Sequence, residues 1–295
     1  MRTDHPTAAA AGTLELGGRL TVNRLGFGTM RLTGPGNWGP PRDHQQAVAV
    51  LRRAVELGVT FIDTADSYGP FIAEELIRTA LHPYPTDLVV ATKAGFLRTR
   101  PDPTSTPSPS SWTPLGKPEY LRQQVEMSLR RLNTDCIQLF QLHRIDPDYP
   151  LDDQVGELAN LKAEGKIGLI GLSEVSVDQL EAALNITPIA SVQNMYNLTA
   201  RDAEPLVNAC TQHGIAFIPW FPLAAGPLAD PDGPLRKIAA AHQASPSQLA
   251  LAWLLARSPI MLPIPGTSSV EHLDENIAAA TVALTDDDLK ALNAL

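Results

Sequence analysis

The chain has 295 residues, 44% hydrophobic and 19% charged, with a net charge of −9 and only two cysteines, Cys136 and Cys210. That acidity argues against a nucleic-acid partner, no apolar run approaches membrane-spanning length, and two thiols in or beside apolar runs argue for reduced cysteines over a disulfide framework. The apolar content is enough for a sizeable core.

Residues 1–12 lack the long apolar segment and flanks of a signal peptide, which predicts a disordered leader and a cytoplasmic protein. The ELGGRL segment at 15–20 predicts a hairpin turning on Gly17-Gly18 across the floor of the fold. A first apolar strand at 24–28 ends in Gly28-Thr29. Val48, Leu51 and Val55 then share one helical face, Gly58 stops the helix, and 59–62 is a strand with Asp63 and Tyr68 at its exit. The next strand, 87–92, exits at Lys93. Residues 95–118, rich in Pro, Ser, Thr and Gly, predict a long loop over the site mouth; Trp112 there is either a substrate contact or an exposed surface residue.

Strand 136–142 exits at His143. A helical face of Leu151, Val155, Leu158 and Leu161, stopped by Gly165, precedes strand 167–172, with Ser173-Glu174 at its exit. Strand 189–193 ends in Gln193. A helix over 205–212 and Gly214 lead into strand 215–219 and Trp220. The last strand candidate, 260–264, precedes Gly266, Thr267 and Ser268 and a helix carrying Val270, Leu273 and Ile277; Ser268 with Glu271 predicts its capping box. Eight strands alternating with helices predict a single (β/α)8 barrel over 13–295, with the strand exits on one rim.

A carboxylate, a phenol and an ammonium leave adjacent strand ends here. A phenol with a free pKa near ~10 is a poor proton donor at neutral pH, and a paired lysine lowers it, so Asp63, Tyr68 and Lys93 suit general acid catalysis.

The order and spacing of GFGTM at 26–30, FIDTADSYG at 61–69, ATK at 91–93, QLHRID at 141–146, GLSE at 171–174, VQNMYN at 192–197 and LPIPGTSSVEHLDEN at 262–276 resemble the aldo-keto reductases over nearly the whole chain. The resemblance implies metal-free reduction of carbonyls by a nicotinamide cofactor. It implies that Tyr68 protonates the carbonyl oxygen, that Lys93 with Asp63 tunes the tyrosine, and that His143 orients the carbonyl. Ser173, Glu174 and Gln193 would hold the nicotinamide carboxamide, with Asp63 beside them. Trp220 would stack on the ring, where the family commonly has Tyr. Glu174 stands where Asn is frequent and can only accept hydrogen bonds.

Further cofactor contacts implied by the match are Gly28, Thr29, Met30 and Ile264, and the loop Phe221, Pro222, Leu223 and Gly226 over the pyrophosphate. Thr267, Ser268 and His272 would read the 2′-phosphate, with Glu275 and Asn276 at the adenine. Many relatives have lysine at Gly266 and arginine at His272; both cations are missing, so NADPH is expected with some tolerance of NADH. The C-terminal end is short, which leaves Trp38, Trp112, Tyr68 and His143 to form an open pocket for small or planar carbonyls. QLHRIDP, GLSEVSV and PGTSSVEHL resemble a bacterial subgroup that includes pyridoxal reductases, making pyridoxal the leading substrate. The family default is a monomer. The competing readings are a slow, NADPH-holding redox sensor and an aldolase using Lys93 as a Schiff base.

Overall fold

The computed structural model describes residues 6–102, 111–223 and 235–294. Two short strands come first, β1 (Thr13–Leu16) and β2 (Leu20–Asn23), paired antiparallel as the Gly-Gly turn predicts. Gly17 takes a φ of +55°, and a Cβ there would fall 2.8 Å from Leu169. Leu169 lies near the start of its strand, so the hairpin covers the end of the sheet away from the site.

The parallel strands are β3 (Phe27–Gly28), β4 (Phe61–Asp63), β5 (Val89–Ala94), β8 (Ile137–Leu142), β9 (Ile167–Ser173), β10 (Ser191–Gln193) and β11 (Ala216–Phe217), hydrogen-bonded in that order. Between them run α1 (His44–Glu56), α2 (Ile72–Leu81), α3 (Pro118–Leu132), α4 (Leu151–Ala163), α5 (Val177–Leu184) and α6 (Glu204–His213). After β11 come α7 (Arg236–Ala241), α8 (Pro246–Arg257), α9 (Val270–Ala278) and α10 (Asp286–Asn293). Gly214 ends α6 with a φ of +66°, the left-handed step that lets the chain turn back into β11.

The segment 260–265 supplies the eighth strand and joins the two edges. Leu262 N donates to Phe217 O at 2.9 Å on one side, and Gly26 N donates to Pro263 O at 2.9 Å on the other. Arg24 reinforces that seam: its Nη2 donates to the carbonyls of Leu255 and Ser258, both at 2.7 Å, satisfying acceptors at the end of α8.

Register then aims the side chains. Lys93 pairs with Gln141, Gln141 with Gly171, and Gly171 with Ser191, so these residues share one face of the sheet. Two residues on, His143, Ser173 and Gln193 face the same way, nearer the C-terminal rim. Gly171 is glycine for want of space: a Cβ there would stand 2.2 Å from Ser191 Oγ and 2.8 Å from Gln141 Cγ. Apolar residues such as Leu139, Phe140, Val155 and Leu158 fill the layer between sheet and helices.

Two expectations change. Ala8–Ala11 form a 3-10 turn with Ala8 buried and its N–H donating to Leu57 O at 2.8 Å, so this part of the leader is ordered by docking on the C-terminal end of α1. The long loop after the lysine strand has a paired stem: β6 (Phe96–Arg98) runs antiparallel to β7 (Trp112–Pro114).

Candidate active site

The Asp63, Tyr68, Lys93 and His143 side chains converge at the rim. Lys93 is fully buried and donates to Asp63 Oδ2 at 2.6 Å, Thr64 O at 2.8 Å and the Tyr68 hydroxyl at 3.2 Å. Those three bonds use all of its N–H groups. The second Asp63 oxygen accepts from Gln193 Nε2 at 2.9 Å and Gln141 Nε2 at 3.1 Å, so the buried carboxylate is fully partnered. Gln141 is a residue that motif reading passed over; its position two before His143 on an inward-facing strand is the signal that could have found it.

Burial drags the lysine down, but Asp63 and Tyr68 outweigh it and hold Lys93 above its usual range. A lysine kept as a triply bonded ammonium is poorly suited to Schiff-base chemistry, which needs the neutral amine. Burial pushes the Tyr68 phenol up, with the charge of Lys93 acting against the rise and Asp63 adding to it. The lowering predicted from the lysine is therefore real in sign but smaller than the desolvation it opposes. Since the phenol oxygen accepts from Lys93, its own hydrogen is free to point elsewhere.

His143 lies in a T-shaped contact with Tyr68, ring centres 5.8 Å apart, and its Nδ1 is 3.2 Å from Ser67 Oγ. Burial pulls the imidazole well below its ordinary range, helped by Lys93, Arg144 and Arg98, so it is neutral at physiological pH.

A small apolar cluster of Ala65, Tyr68, Ala73, Phe96 and Trp112, with Met30 against it, stands apart from the main core. Trp112 is a buried member of the site wall, not an exposed loop residue: its centroid is 6.1 Å from His143 and 6.4 Å from Tyr68. Its Nε1 donates to Asp102 Oδ1 at 2.7 Å, and Asp102 Oδ2 accepts from Asn37 Nδ2 at 2.9 Å. Arg98 lies 3.8 Å above the Trp112 ring and 5.6 Å from that of Trp38, and donates to Ser67 O at 3.0 Å. The predicted open pocket is thus lined tightly, with Tyr68 6% and Trp112 7% exposed.

The residues expected at the cofactor divide. Thr29 is buried, its hydroxyl donating to Asp63 O at 3.1 Å. Ser173 Oγ accepts from Arg144 Nη1 at 3.2 Å, and Gln193, with its amide nitrogen on Asp63, keeps its oxygen as an acceptor at the rim. Glu174, at a φ of +55°, commits Oε1 to Trp220 Nε1 at 2.5 Å and Met195 N at 2.7 Å. That oxygen orients the indole: tryptophan brings an N–H that a neighbouring carboxylate captures.

Phe221 has a φ of +59°, and its carbonyl accepts from Asn197 Nδ2 at 3.1 Å; Pro222 and Leu223 follow, while Gly226 lies outside the described residues. Gly28 and Ile264 touch across the seam, where a Cβ on Gly28 would stand 2.8 Å from Ile264 O. The cap of α9 is Ser269, accepting from His272 N at 3.3 Å, and not Ser268. A cleft of about 580 Å³ is lined by Met30, Gly266, Thr267 and Ser268 among others, but not by His272, whose side chain is on the exposed surface of α9. Asn276 is buried, and Glu275 is half-buried with its carbonyl accepting from Gln248 Nε2 at 2.9 Å.

A parallel α/β barrel that gathers a lysine, a phenol and a neutral imidazole at its C-terminal rim has the build of an enzyme. Sequence comparison makes the class specific. Residues 24–295 match the Aldo/keto reductase family, and the chain belongs to it. It is 50% identical to an uncharacterized oxidoreductase of Schizosaccharomyces pombe, covering 95% of this chain and 88% of that protein. Identity to the pyridoxine 4-dehydrogenase of Escherichia coli is 41%, over 97% of this chain and 99% of that one. An aldo-keto reductase from Klebsiella pneumoniae, solved in complex with NADPH, superposes with a TM-score of 0.78 at 30% identity, covering 96% and 94% of the two chains. Among the described residues no helix is long and apolar enough to cross a membrane.

Proposed function

We propose that this protein reduces small aldehydes and ketones to alcohols with NADPH, with pyridoxal as the leading substrate, acting as a cytoplasmic monomer. The observation that carries the reading is the bond from Lys93 Nζ to the Tyr68 hydroxyl, which leaves the phenol's proton free to be given to a substrate oxygen. The E. coli relative at 41% identity is a pyridoxine 4-dehydrogenase, and the Klebsiella neighbour was solved with NADPH. Residues here fit a dinucleotide: Gln193 retains an acceptor for a carboxamide, and Glu174 steadies the Trp220 ring.

Bound NADPH supplies a hydride to the carbonyl carbon. Tyr68 gives its proton to the carbonyl oxygen as negative charge grows there, and Lys93 stabilises the phenolate left behind. A hydroxyl hydrogen from Ser67 on Nδ1 of His143 would fix the tautomer that presents Nε2–H, a second donor to the same oxygen. Both donors bind the transition state better than the ground state. Solvent returns the proton to Tyr68 after the alcohol leaves. Phe96 and Trp112 form a wall suited to a flat ring.

The test is loss of reduced-nicotinamide absorbance with purified protein, using pyridoxal and an aromatic aldehyde with NADPH and NADH in parallel. Turnover is expected with NADPH; binding of NADPH without turnover of any aldehyde would favour the sensor reading.

A further inference from the structure

The lysine that many aldo-keto reductases carry after the last strand is replaced by Gly266, and the structure explains why a side chain cannot return there. A Cβ on Gly266 would lie 2.6 Å from Gly28 O, a backbone atom that cannot yield without shifting the end of β3. The nearest side chain to that point is Arg31, whose Cγ is 3.7 Å away. Arg31 sits in the 3-10 turn Met30–Leu32 that leaves β3, so its charge enters the same neighbourhood from the opposite side of the barrel seam.

Arg31 and Arg42 both line the cleft of about 580 Å³ that also takes in Gln46, Gly266, Thr267 and Ser268. Both arginines are exposed, and neither has an ion-pair or hydrogen-bond partner among the described residues. Asp43, the one acidic residue lining this cleft among the described residues, is engaged in capping α1 through Gln46 N at 2.9 Å. Thr267 Oγ1 accepts from Ser269 N at 3.1 Å, which fixes the loop against the start of α9. A guanidinium is the side chain best shaped to grip a phosphate through two N–H groups.

We propose that Arg31, with Arg42 beside it, supplies the positive charge that recognises the 2′-phosphate of NADPH, taking over from the position occupied by Gly266. The assignment rests on the cofactor reading above and makes the chain NADPH-selective, replacing the relaxed choice expected from the missing cations.

Equilibrium titration of the cofactor-free protein with NADPH and with NADH, followed by tryptophan fluorescence, tests it. Wild type should prefer NADPH, and added salt should weaken NADPH more than NADH. Arg31→Ala should weaken NADPH by about tenfold or more, as expected for losing a charged hydrogen bond, and leave NADH within about twofold. Unchanged NADH binding also reports an intact fold. Arg31→Lys should recover part of the loss, and Arg42→Ala should act in the same direction. An NADPH preference unmoved by Arg31→Ala and Arg42→Ala would overturn this assignment alone. Wild type that binds neither nucleotide would overturn the cofactor reading and the assignment with it.

Discussion

Replacing Lys93 with methionine isolates what its charge does. The ammonium stands 3.2 Å from the Tyr68 oxygen. At an effective dielectric of about 20, a full charge pair at that spacing is worth roughly 5 kcal/mol, or about four decades in phenol acidity, as a ceiling. Removing it should slow the hydride-transfer step by about 10²–10⁴-fold, the usual share of a tuned proton donor. The same change leaves Asp63 buried without its cation, and breaking a buried pair costs about 3–5 kcal/mol. The bonds from Gln193 at 2.9 Å and Gln141 at 3.1 Å soften that loss. A double variant, Asp63→Asn with Lys93→Met, separates the two effects: it should regain much of the thermal stability and none of the rate. Single-turnover mixing of enzyme and NADPH with aldehyde gives the rate before product release can mask it, and thermal melts give the stability. A folded Lys93→Met protein within about tenfold of wild type, or a double variant whose rate returns with its stability, would refute the reasoning.

Burial holds Tyr68 protonated above the ordinary phenol range and His143 neutral below the ordinary imidazole range. Reduction uses the protonated phenol, so its rate should stay flat across neutral pH and fall only as pH climbs past about 10. A single-turnover pH profile checks this, and a loss of rate on acidification through about pH 6.5 would show that His143 titrates normally. Tyr68→Phe should abolish reduction while leaving NADPH affinity unchanged, measured by the same fluorescence titration; unimpaired reduction would remove Tyr68 as the acid. Asp66 is buried with Oδ1 unpartnered, and burial plus the Glu74 charge raise its carboxyl well above the usual value. A raised folded value penalises the native state increasingly as pH rises from the unfolded carboxyl range toward the folded one. Asp66→Asn should therefore melt higher relative to wild type at pH 8 than at pH 5, as thermal scans at about these two values would show.

The sequence placed Asp63, Lys93 and His143 because each ends an apolar run, and an inward-facing residue at a parallel strand's exit has few other places to point. What it left unread depends on contacts between distant residues. Arg98, Asp102 and Trp112 look like fragments of a Pro- and Ser-rich loop until Asn37 and Ser67 supply their partners and a hairpin stem forms. Glu174 and Trp220 are 46 positions apart, so no local pattern reveals that one orients the other. The run Thr267, Ser268, Ser269 offers adjacent hydroxyls for one cap, and only the backbone direction decides for Ser269. Arg31 draws no attention just after a motif whose glycine and threonine carry the resemblance; it gains meaning once Gly266 is seen beside it.

The seam between the first and eighth strands has a consequence for how the chain completes itself. Gly26, Gly28 and Arg24 are met there by residues between Leu255 and Gly266, contacts made across more than two hundred positions. Bringing such distant segments together is entropically slow, and during synthesis both sheet edges stay unpaired until residues 260–265 have emerged. Met30 and Gly266, which line the proposed phosphate cleft, sit on either side of this last joint. A dinucleotide bound there would lie across it like a clasp, and amide hydrogen exchange at 24–28 and 260–266 should slow when cofactor is added.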